Sequence, residues 1–125
     1  MGSLQSFFSN HCETSDNHRD PLLKSHYYKV TNKQAIQSIK DFITKQNGFN
    51  LTSISEERGE MSVSVSKKRK AFMVITVISV RPFETAIDFS VTTETSVLPM
   101  DFGYSKRLVQ FMYKELDGIL PLLKR

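Results

Sequence analysis

The chain has a single cysteine among 125 residues, which excludes an internal disulfide framework and fits a reducing compartment. It lacks any apolar run near the ~18 residues that a membrane-spanning helix needs, and no signal-peptide core follows its first residues. A cytoplasmic location is therefore expected. The five glycines are scattered, so there is no glycine-rich phosphate loop, and neither G-x-S-x-G nor H-E-x-x-H occurs. No cofactor-binding motif and no catalytic constellation stands out. What is present is the composition of an ordinary globular domain, 39% hydrophobic and 24% charged, with mean hydropathy −0.30. A chain of this length buries roughly two thirds of its extended surface and folds without staples.

Charge is concentrated rather than spread. The formal net charge is +4, and Lys67, Lys68, Arg69 and Lys70 supply all of it as one consecutive run. The bland reading is a solvated hairpin turn that keeps a sheet edge soluble. The functional reading is a set of phosphate contacts to nucleic acid, although no base-stacking aromatic stands among the four.

The first 25 residues differ from the rest. From Ser9 to Asp20 there is no aliphatic residue, and such a stretch cannot offset its ordering entropy by apolar burial. A weakly structured arm over residues 1–25 is expected, followed by one domain over 26–125. The arm holds Cys12 and, with His26, every histidine of the chain: His11, His18 and His26. Thiolate and imidazole are zinc ligands, but His11 and Cys12 are adjacent and no C-x2-C pair exists. A metal-dependent protein or enzyme built on the arm is thus the third reading.

The body begins with an aromatic strand at His26–Val30. Thr31 or Asn32 caps a helix whose apolar stripe is Ala35, Ile36, Ile39, Phe42 and Ile43, and Gly48 stops it. From Phe49 to Thr95 the period becomes two. Met61, Val63 and Val65 alternate with serines, Ala71–Val80 is almost wholly apolar, and Ile87, Phe89 and Val91 share a face. The carboxylates Glu84, Asp88 and Glu94 line the solvent side of that last strand, as expected of any half-buried strand. After Pro99, with Asp101 placed as a cap, Leu108 to Leu120 carry a wide apolar stripe that Pro121 ends.

The fold class is α+β. The order β-α-β-β-β-β-α implies an antiparallel sheet with two helices on one face. It resembles the saddle topology of the TATA-binding-protein repeat and the helix-grip domains. Asp101-Phe102-Gly103-Tyr104-Ser105-Lys106-Arg107, opening the last helix, resembles a run in a family of uncharacterised bacterial proteins of the Bacillus type. Neither resemblance implies an activity.

Register carries the functional expectation. A four-residue turn at 67–70 pairs Val65 with Phe72 and Val63 with Val74. That leaves Met73, Ile75 and Val77 as an apolar stripe on the face without helices. Such a stripe calls for a cover: a second copy of the sheet, a partner or hydrophobic ligand, or the arm through Phe7, Phe8, Leu22 and Leu23. The expected function is a non-catalytic binding module, with nucleic-acid binding through Lys67–Lys70 as the alternative.

Overall fold

The computed structural model describes residues 10–94, 101 and 103–124. Two helices, α1 (Asn32–Lys45) and α2 (Tyr104–Ile119), lie on one side of a seven-stranded antiparallel sheet. The strands are β1 (His11–Glu13), β2 (His26–Tyr28), β3 (Phe49–Ser55), β4 (Glu60–Ser66), β5 (Lys70–Arg81), β6 (Glu84–Thr93) and β7 (Leu122–Lys124). The sheet order is β3-β4-β5-β6-β2-β7, with β1 also on β6.

Helix α1 forms where its caps dictate. Thr31 Oγ1 accepts the Gln34 amide while the Gln34 side chain accepts the Thr31 amide, a reciprocal capping box. Ala35, Ile36, Ile39 and Ile43 are its buried stripe. Helix α2 starts after Gly103 at φ 85, and the Asp101 carboxylate accepts the amides of Gly103, Tyr104 and Ser105 at 3.0–3.1 Å. Asp101 thus satisfies the open amides of the first turn although Gly103 holds the cap position. The helix ends at Ile119, ahead of Pro121, and three further residues add β7 to β2.

The sheet register differs from the expected one by one residue. Ser66 pairs with Lys70, so the turn holds three residues, and Lys70 belongs to β5. Val65 therefore faces Ala71, Val63 faces Met73 and Met61 faces Ile75. On the other flank a bulge between Ser79 and Arg81 brings Met73 opposite Val91, Ile75 opposite Phe89 and Val77 opposite Ile87. Met73, Ile75 and Val77 are consequently buried under the helices, at 0%, 0% and 2% exposure. They are core residues, not an outer binding stripe. The face they were assigned instead displays Phe72, Val74, Thr76 and Ile78.

Residues 10–25, set apart in the sequence as an arm, are tied to the sheet. β1 and β2 both run antiparallel to β6, β1 along its last residues and β2 along its first. They are two pieces of one strand position, separated by an excursion over 15–24. Asp88 Oδ1 closes the neck of that excursion by accepting from the hydroxyls of Thr14 (2.6 Å) and Ser25 (2.5 Å). Inside it, Asp20 caps a single 3₁₀ turn (Pro21–Leu23) and accepts from Lys106 Nζ at 2.6 Å. Leu23 and Cys12 enter the core. Phe7 and Phe8 lie outside the described residues.

Candidate functional site

The four sulfur and imidazole candidates do not converge. Alternation along β1 turns His11 outward, where Nδ1 meets Thr92 Oγ1 at 2.6 Å, and Cys12 inward, where it is 5% exposed. Burial pushes the Cys12 thiol up to about 12, against the pull of the Lys106 ammonium. His18 sits in the excursion and accepts the Asp20 amide at 3.0 Å. His26 is buried on β2. Among the described residues no three metal-ligating side chains come together.

His26 belongs to a different cluster, one that no sequence motif announced. Its Nδ1 lies 2.9 Å from Asp117 Oδ1, which also accepts the Tyr28 hydroxyl at 2.7 Å. A carboxylate only accepts, so the imidazole donates from Nδ1. The ring stacks on Tyr113 with centroids 3.6 Å apart and planes at 7°, and Tyr113 donates to the Ile87 carbonyl at 2.7 Å. These bonds fasten the end of α2 to β2 and to β6. A cleft of about 620 Å³ opens beside them, between Leu22 and Lys24 of the excursion and Gln110 and Lys114 of α2. The alternation His26-x-Tyr28 toward the helices was the available signal. Asp117, outside the apolar stripe of α2, was the partner it could not identify.

The open face of the sheet carries exposed apolar side chains. Along the central strand β5, Phe72 is 48% exposed and Ile78 50%, with Val80 at 50% on the bulge beyond them. The neighbours on the adjoining strands are polar over the first part of the strand, with Ser64 and Thr92 beside Phe72, Ser62 and Ser90 beside Val74, and Glu60 and Asp88 beside Thr76, whereas Ile78 lies beside Ala86. At the end of the stripe, Phe83 is 53% exposed and sits at φ 58, a left-handed conformation that disfavours bulky side chains.

The basic run is shared between a turn and two cleft walls. Lys70 is in β5, Arg69 is half-buried, and the Arg69 carbonyl accepts the Tyr104 hydroxyl at 3.5 Å. Lys67 crosses Gly48, its Cγ 2.9 Å from where a Cβ on that residue would stand. Its ammonium lies 5.7 Å from the Phe49 ring centroid and 5.6 Å from that of Phe111. The aromatic surface absent from the run itself is thus supplied by β3 and α2. With Lys68 and Arg107, these residues line a cleft of about 250 Å³.

The fold and these surfaces define a two-layer α+β module with one helix-covered and one open sheet face. No protein-family model, no curated protein and no solved structure matches the chain. No helix among the described residues is long and apolar enough to cross a membrane.

Proposed function

We propose that the chain is a non-catalytic binding module of the cytoplasm that works through the open face of its sheet. The observation that carries this reading is the Phe72–Ile78–Val80 display, three large apolar side chains each about half exposed on the central strand. A chain that uses the sheet only as a floor for its helices gains nothing by presenting them on the face turned away from those helices. The acids Glu60 and Asp88 flank Thr76 at the middle of the stripe. A protein surface with apolar side chains and a basic rim complements this arrangement. The polar clusters elsewhere support a binding role by the way they are used. His26, Asp117 and Tyr28 bond one another, and Asp20 pairs with Lys106.

The test compares the full chain with Ile78→Lys. Sedimentation velocity reads self-association, and purification of the natively expressed chain reads a stoichiometric partner. Either kind of complex should disappear in the variant while its melting temperature holds. A wild-type chain that stays monomeric and carries the same proteins as the variant overturns the proposal.

A further inference from the structure

The cleft between the β4–β5 turn and α2 has the features of a ligand site, independent of the open sheet face. We propose that it binds a small organic anion: one ring or short chain carrying a phosphate or carboxylate.

Size sets the first bound. At about 250 Å³ the cleft exceeds the roughly 150 Å³ of an engineered cavity that takes benzene. It holds one ring and a head group, and is below the ~300 Å³ at which pockets for larger ligands begin.

Charge sets the second. Lys67, Lys68 and Arg107 line the cleft, and among the described residues no carboxylate does. Among the described residues neither lysine forms a salt bridge. Two ammonium groups on consecutive residues repel, and an anion between them relieves the repulsion.

Pre-organisation is the third. The Lys67 stem lies flat because Gly48, at φ +82, offers no side chain in its path. The Ser66 amide donates to the Gly48 carbonyl at 2.7 Å, and the Tyr104 hydroxyl ties the turn to α2 through the Arg69 carbonyl. The Lys67 stem and the turn that carries both lysines are therefore positioned before any ligand arrives, which lowers the ordering cost of binding.

The walls set the chemistry of the body. Phe49 and Phe111 meet at 6.0 Å and 49°, and Leu108 completes an apolar lining. Phe49 is only 8% exposed, so it offers a wall to a small body and not an open platform on which successive bases stack. This favours a small anion over a nucleic-acid strand.

Calorimetric titration of the full chain with phenyl phosphate, benzoate, inorganic phosphate and a short oligothymidylate tests the assignment. Phenyl phosphate or benzoate should bind saturably, one per chain, and about tenfold more tightly than inorganic phosphate. The preferred head group then shows whether phosphate or carboxylate is read. Lys67→Met should weaken this binding about tenfold, the effect of losing one charged contact. Lys68→Met, which touches neither ring, should weaken it comparably with an unchanged melting temperature. Inorganic phosphate binding as tightly as phenyl phosphate overturns the role of the apolar walls. Oligothymidylate binding with a steep salt slope, without the small anions, replaces the proposal with a nucleic-acid surface. No saturable binding of any probe ends it.

Discussion

Two isoleucines three residues apart on β5 should respond very unequally to the same truncation. Ile75 is 0% exposed between Met61 and Phe89 under the helices, and Ile78 is 50% exposed on the open face. Ile75→Ala removes three buried carbons at about 0.8 kcal/mol each, roughly 2.4 kcal/mol before any cavity term. With incomplete collapse of the site the total reaches about 3–4 kcal/mol. Ile78→Ala forfeits about half the transfer term and leaves no cavity, so about 1 kcal/mol is its ceiling. The loss of strand propensity is of similar size in both and subtracts out of the comparison. The expected difference is about 2–3 kcal/mol, or about 10 °C in melting temperature for a domain of this size. Urea unfolding followed by circular dichroism, at a protein concentration low enough to leave the chain monomeric, reads it directly. The m-values must agree for the comparison to hold. Equal losses, or a larger loss at Ile78, would refute the three-residue turn and the register that follows from it.

Two further outcomes concern residues 10–25. Asp20 is buried, which alone would raise its pKa, but its hydrogen bonds to Lys106 and the Leu22 amide bring it below the ordinary 3.8. Its contribution to stability is therefore present above pH 3.8 and lost as pH falls through the folded value. Lys106→Met leaves that carboxylate buried without its cation, at about 3 kcal/mol or more, and should move acid unfolding to higher pH; an unshifted acid midpoint would count against the pairing. Cys12, with its thiol raised from 9.0 to about 12, should stay inert to Ellman's reagent in the native chain and react fully in denaturant. Stability should decline as pH climbs above 9, because only the unfolded chain then loses the proton; rapid native labelling would contradict the burial.

Local signals fixed the elements that local chemistry determines. The Thr31/Gln34 box, the α1 stripe, the alternation of β4 and the stop at Pro121 are all readable because each is decided within a few residues. Parity along β5 is not readable. A continuous apolar run has no period from which to choose its inward face, and the choice rested on whether Lys70 ends the turn or begins the strand. One residue reversed the roles of Ile75 and Ile78. The polar segment before Pro21 misled for a different reason. Its order comes from hydrogen bonds to β6 and from Asp20 meeting Lys106, partners far away in the chain, and from a single buried thiol rather than an aliphatic core. The basic cleft was half legible: the cations are consecutive, whereas Phe49 and Phe111 reach them only through the fold.

The margins of the sheet decide how it can meet other molecules. β3, at one edge, is broken by an irregularity between Leu51 and Ser53, and its solvent side carries Asn50, Thr52 and Ser53. At the opposite end, β7 and β1 are only three residues long, and β7 follows Pro121 and ends in Lys124. Short, kinked or lysine-tipped margins make poor templates for an incoming strand. Extension into longer sheets, the route to fibrous aggregates, is thereby disfavoured. The binding surface proposed above is instead the flat of the sheet, where a geometrically bounded complex would form without propagating.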